Sequence, residues 1–160
     1  MLDSTVRVVA LLLATAVGIG YAPVAPGTFG SMAGLVLWAF VPADPMFQAL
    51  AIGVLFGAGA WSAGAAERHF NRADPGPVVI DEVMGMLITL FMNPVGWVGA
   101  LVGFLLFRLF DVVKPYPANR LERLSGGVGV MADDAMAAVY ANVALRAAVW
   151  VAARVAGWSL

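Results

Sequence analysis

Cysteine is absent from this 160-residue chain, and histidine occurs once, at His69. The first absence excludes disulfides, thiolate nucleophiles, zinc–thiolate sites and iron–sulfur clusters; the second excludes any mechanism that needs two imidazoles. Charge is scarce too. Nine Lys and Arg and ten Asp and Glu make up 12 % of the residues, about half the share in an ordinary soluble domain. A net charge of −1 supplies no basic field, so nucleic acid is not the expected partner. There is no internal repeat and no low-complexity tract.

Apolar surface is what the chain has in excess. Hydrophobic residues make up 62 % of the sequence and the mean hydropathy is +0.89, more than the core of one domain this size can hide. Lipid must cover the remainder, and the expectation is a single integral-membrane domain over residues 1–160: an all-α, small polytopic helix bundle. Arg7, the apolar run 8–13 and Ala14-Thr15-Ala16 outline a signal peptide, but the lone Arg is offset by Asp3. Segment 8–20 is therefore kept as part of the protein, whether it spans the bilayer or lies in its interface.

Apolar stretches cover 8–20, 29–41, 46–66, 83–92, 97–107 and 135–156. A crossing takes about 20 residues, so only 46–66 and 135–156 span comfortably, and the others need polar flanks, a tilt or a partial crossing. Arg7, Arg68, Arg72, Arg108, Lys114, Arg120 and Arg123 fall in the N-terminus and in the charged segments 67–82 and 108–134. The positive-inside rule makes that face cytoplasmic, with Arg154 as a mild objection near the opposite terminus. A hairpin through Asn93-Pro94 then brings every acid but Asp44 to the same face. The uncharged run Tyr21–Ser31 holds Pro23, Pro26, Gly27 and Gly30, which break a helix and free backbone N–H groups. In lipid such backbone survives only when buried in protein or lining a cavity, so a re-entrant Pro-Gly loop at the site is expected. Trp38, Trp61, Trp97, Trp150 and Trp158 lie mostly near proposed span ends, as an aromatic belt requires.

Three constellations carry ionisable groups. Asp81-Glu82 opens an apolar helix, either complementing its N-terminal N–H groups or forming a site with Gly85, which leaves room for a ligand or another helix. Arg108, Asp111 and Lys114 recur at steps of three before Pro115, either as a salt-bridged helix end or as a metal-binding acid between two phosphate-binding cations. Gly126-Gly127-Val128-Gly129 runs into Asp133-Asp134, which either cap the last span or ligate an ion. Their convergence is more informative than any one of them. Carboxylates of Asp81, Glu82, Asp111, Asp133 and Asp134 held together repel one another unless protonated or bridged by a cation. Mg²⁺ is the natural bridge and a phosphate group its natural partner. His69 reads as a surface residue, and Met84, Met86 and Met131 as packing residues.

Ala25-Pro26-Gly27-Thr28-Phe29-Gly30-Ser31, Asp81-Glu82 with Gly85, Phe107-Arg108 through Pro115 and Pro117, and Gly126-Gly127 with Gly129-Val130-Met131 and Asp133-Asp134 occur in that order over about residues 18–140. This pattern resembles the phosphatidylglycerophosphatase A family. The resemblance implies a multi-pass bundle in the bacterial inner membrane. It also implies Mg²⁺-dependent removal of the terminal phosphate of phosphatidylglycerophosphate at a cytoplasm-facing site, with a bilayer phospholipid as substrate. Carried over, the metal ligands are Asp81, Glu82, Asp111, Asp133 and Asp134, with Asp81, Asp111 and Asp134 as catalytic candidates. Arg108, Lys114, Thr28 and Ser31 are expected to bind the phosphate. A metal-activated water and a covalent Asp, Thr28 or Ser31 intermediate both fit, and no oligomeric state follows. The competing class is a small cation-coupled transporter or channel built on the broken segment 8–41; its ion site belongs near the membrane midplane, whereas these acids collect at one rim.

Overall fold

Each apolar stretch becomes a helix whose ends are set by proline, glycine or a capping carboxylate. The structure, a computed structural model, describes residues 3–121 and 124–156; Arg123 and Trp158, counted above, lie outside them. The described residues form seven α-helices and no strand: α1 Ser4–Ala14, α2 Pro26–Trp38, α3 Pro45–Phe70, α4 Ile80–Leu90, α5 Trp97–Val113, α6 Ala118–Leu121 and α7 Gly127–Ala156, with a 3₁₀ turn at Ile19–Tyr21. The all-α expectation holds.

Local chemistry explains the boundaries. Asp44 Oδ1 accepts from the N–H groups of Met46 and Phe47 at 2.9 and 3.3 Å, and Pro45 takes the first helical position of α3, where its missing N–H costs nothing. Lys114, in the left-handed region at φ 44°, ends α5 just before Pro115. Two expectations need correction. The Pro-Gly loop is shorter than expected, because Pro26 sits at the first position of α2 and initiates a helix instead of breaking one. Only 22–25 stay irregular, and Thr28 and Ser31 are helical. The glycine turn, with Gly126 at φ 79°, feeds α7 already at Gly127, so Asp133 and Asp134 lie about two turns into the helix and cap nothing.

Two helices, Pro45–Phe70 and Gly127–Val155, are long and apolar enough to cross a membrane. The 11-residue α4 is about 16 Å long, roughly half a hydrocarbon core. It is the centre of the bundle, packed against α2, α3, α5 and α7. Met86 and Leu90 on one side join Leu35, Phe107 and Leu145; Ile80 and Met84 on the other join Ala63, Ala66 and Met131. The three methionines are core residues, as expected. Outward faces stay apolar, with Leu50 and Val54 of α3, Leu105 and Val112 of α5, and Val143 and Trp150 of α7 all exposed, a surface suited to lipid contact.

Small residues let these helices approach. A Cβ at Gly30 would stand 2.8 Å from the Cβ of Val79, and one at Gly34 would stand 2.6 Å from the carbonyl oxygen of Val83. α2 thus lies backbone to backbone on α4, the packing that apolar solvent favours. Likewise a Cβ on Gly127 would strike the backbone of Ala60 and Gly64, which seats the start of α7 on α3.

The buried C-terminal end of α4 exposes carbonyls that no further turn can satisfy. Asn142 of α7 donates through Nδ2 to the carbonyls of Ile88, Thr89 and Phe91 at 3.0, 3.0 and 2.9 Å. Arg146 adds a bond to Phe91 O at 3.0 Å, and Asn93 one to Thr89 O at 3.0 Å. Asn142→Ala removes the shared donor and is expected to cost about 1–3 kcal/mol, read as a lower thermal midpoint in detergent; an unchanged midpoint would show that Arg146 and Asn93 suffice.

Candidate functional site

Four helix ends meet at one end of the bundle: the starts of α2, α4 and α7 and the finish of α5. Asp81 and Glu82 occupy the first turn of α4, where Val79 offers no side-chain cap. The Val79 N–H donates to Ala14 O at 2.9 Å, tying this turn to α1. Gly85 admits the next helix, since a Cβ there would run into the buried ring of Phe107. The room left by Gly85 thus holds α5, and it brings Arg108 and Asp111 alongside α4.

One carboxylate oxygen each from Asp81, Glu82 and Asp134 lie within 4.8 Å of one another. Asp111 adjoins Asp134, and the charges of Glu82 and Asp111 both act on it. Arg108 is the cation among them. Its Nη1 stands 2.7 Å from Asp111 Oδ2 and 4.0 Å from Glu82 Oε1, and it donates to Ser31 Oγ at 3.4 Å. Ser31 Oγ in turn donates to Gly27 O at 2.8 Å, so one guanidinium links α5, α4 and α2. Thr28 lies half-buried in the first turn of α2.

Of the five expected metal ligands, Asp81, Glu82 and Asp134 come together, and Asp111 sits against them. Asp133 departs from the set: it faces Lys114 and forms an ion pair with it. The spacing of Arg108, Asp111 and Lys114 by threes stops one residue short, because Lys114 leaves the helical path at its left-handed φ. His69 is exposed, stacked edge-on against Phe70. Asp74 is an addition the sequence pattern gives no reason to select. Its charge acts on both Asp81 and Asp133, and it occupies a left-handed backbone position at φ 42°.

Asp81 Oδ1, Glu82 Oε2, Asp133 Oδ1 and Asp134 Oδ2 are buried without a hydrogen-bond partner. Buried orphan oxygens are costly, and like charges this close need a proton or a cation between them. The donors are oxygen only, the set preferred by hard divalent cations. The cluster can therefore hold a metal ion.

The chain matches the phosphatidylglycerophosphatase A family over residues 12–149. It belongs to that family. The match is somewhat wider than the segment carrying the motifs. Phosphatidylglycerophosphatase A of Escherichia coli K12 is 36 % identical over 132 residues, 80 % of this chain and 76 % of that protein. Its counterpart in Haemophilus influenzae is 36 % identical over 144 residues, 85 % and 86 % respectively. A Bacteroides thetaiotaomicron protein with the provisional name phosphatidylinositol-3-phosphatase is 39 % identical over 150 residues, 88 % and 94 %. No solved structure matches. Family membership makes this chain a lipid phosphatase.

Gly27 offers a direct test of the cluster. A Cβ at Gly27 would collide with Glu82 Oε1 and stand 3.1 Å from Arg108 Nη1. The collision is with the mobile end of a side chain, so Gly27→Ala is expected to fold while pushing the Glu82 carboxylate aside. Calorimetric titration with a divalent cation should show affinity reduced about tenfold or more. Wild-type affinity in folded Gly27→Ala protein would remove Glu82 from the binding set.

Proposed function

We propose that this protein hydrolyses phosphatidylglycerophosphate to phosphatidylglycerol and phosphate, in a Mg²⁺-dependent reaction at the cytoplasmic face of a bacterial inner membrane that it crosses several times as one domain. The observation that carries the reading is the group of buried, unpartnered carboxylates of Asp81, Glu82 and Asp134 in a chain of a lipid-phosphatase family. The names of the relatives share one chemistry: a phosphomonoester on the polyol head group of a phospholipid.

In this reading Asp81, Glu82 and Asp134 hold Mg²⁺, with Asp111 and Asp133 closing the acidic wall around them. Held by these residues, a divalent cation would offset phosphate charge and make water a better nucleophile. Arg108, already bonded to Ser31 and Asp111, binds equatorial oxygens of the phosphoryl group, where charge collects in the transition state. Ser31 and Thr28, on the first turns of α2, orient the same group from the other side. Asp111 accepts the proton of the attacking water as the new P–O bond forms and the bond to the glycerol oxygen breaks; that oxygen takes a proton from solvent water and leaves as the alcohol, and Asp111 returns its proton to solvent. Lys114, beside Asp133, supplies positive charge toward the leaving oxygen. An aspartyl-phosphate on Asp81, Asp111 or Asp134 is the covalent variant of the same scheme. An ion-transport role sits less well with the acids, which collect at helix ends and not midway along the spans.

The test is phosphate release from phosphatidylglycerophosphate in detergent micelles. Release is expected with Mg²⁺, lost with chelator, and reduced about a hundredfold or more in Asp81→Asn and Asp134→Asn. Folded wild-type protein that releases no phosphate with Mg²⁺ present overturns the assignment.

A further inference from the structure

A cavity of about 650 Å³ opens next to the carboxylate cluster. Arg68 and Arg72 line it from the end of α3, Asp74 from the following loop, Ser125 and Gly126 from the turn into α7, and its floor reaches Asp133. Arg68 stands in the last turn of α3 and Arg72 follows the left-handed Asn71 cap, and both line the same space. Two of the acids on the wall, Glu67 and Asp133, are engaged. Glu67 Oε1 accepts the N–H of Asp74 at 3.2 Å, and Asp133 is paired with Lys114. Among the described residues neither Arg68 nor Arg72 has a carboxylate within ion-pair distance.

Two guanidinium groups with no carboxylate partner among the described residues, lining a roomy cavity beside the carboxylate cluster, suit a second anion subsite. The cavity meets that cluster twice: Asp133 is the chain neighbour of Asp134, and the charge of Asp74 acts on Asp81. A substrate with two phosphates joined by a glycerol bridge matches such a pair of sites. We infer that Arg68 and Arg72 bind the phosphodiester of the substrate while the cluster and Arg108 hold the phosphomonoester, an inference that rests on the reaction proposed above. The arginines then act as specificity determinants. They favour lipids whose phosphomonoester is separated from the diester by a short polyol over phosphatidic acid, whose single phosphate cannot fill both sites.

The test compares wild type, the double variant Arg68→Gln/Arg72→Gln and the double variant Arg68→Lys/Arg72→Lys on phosphatidylglycerophosphate micelles. Two inhibitors are added in turn: glycerophosphoglycerol, which carries the diester alone, and inorganic phosphate. The Gln pair is expected to raise KM about tenfold with kcat changed no more than about threefold. It should weaken inhibition by glycerophosphoglycerol about tenfold and leave inhibition by inorganic phosphate unchanged, and the Lys pair should restore part of the loss. Unchanged KM, equal inhibition of all three proteins by glycerophosphoglycerol, or a fall in kcat alone would overturn the inference. Wild-type protein that releases no phosphate overturns the reaction itself, and the subsite with it; an active wild type matched by the Gln pair overturns the subsite only.

Discussion

Carboxylates packed into one buried space repel each other, and the end of the bundle where four helices meet is organised around that repulsion. Asp81, Glu82 and Asp134 share a space less than 5 Å across, and Asp111 presses against it. Among the described residues one cation, Arg108, is set between them, bonded to Asp111 and Ser31 and near Glu82. One positive charge does not balance four negative ones. In a medium of low dielectric the imbalance is severe, and the remaining oxygens stay unpartnered. The rest of the architecture serves to hold those groups together against that force.

Backbone proximity is how the holding is done. Apolar solvent gives no hydrophobic reward for pressing two helices together, so contact must come from close packing, which bulky side chains prevent. Gly27, Gly30 and Gly34 remove them along one face of α2, and Gly127 does so where α7 meets α3. The consequences for the cluster are specific. Gly27 lies over the Glu82 carboxylate, Gly85 makes room for Phe107 and thereby for Arg108, and the α7 contact carries Asp134 toward α4. These glycines are packing residues whose loss would be felt first in the geometry of the acids.

Much of this was legible in the residues. The two long helices, the shorter apolar ones and the meeting of Asp81, Glu82, Asp111 and Asp134 follow from hydropathy, from the placement of charge and from the order of the motifs. The shifted features share a cause, which is that a local rule had two outcomes. Pro26 can break a helix or begin one, and its neighbour Ala25, at φ 48°, decides for beginning. Lys114 continues the spacing of Arg108 and Asp111 in sequence, but its left-handed backbone turns it toward Asp133. Asp74 and the arginines of α3 were beyond reach, because their meaning depends on a loop crossing from α3 to α4 and no spacing rule describes that path.

The two ends of α4 differ in how their polar groups are met. This helix is short and buried at both ends, so the same penalty for unsatisfied polar groups applies to each. At its C-terminal end the open carbonyls are answered by side chains on another helix, Asn142 and Arg146, with Asn93 assisting. At its N-terminal end four carboxylate oxygens on α4 and α7 are left unanswered, whereas near the other end only the neutral Thr89 hydroxyl is, among the described residues. A missing partner on a neutral hydroxyl costs little beside unpaired charge, so it is at Asp81, Glu82 and Asp134 that the fold has most to gain from a metal ion, which their oxygens could hold.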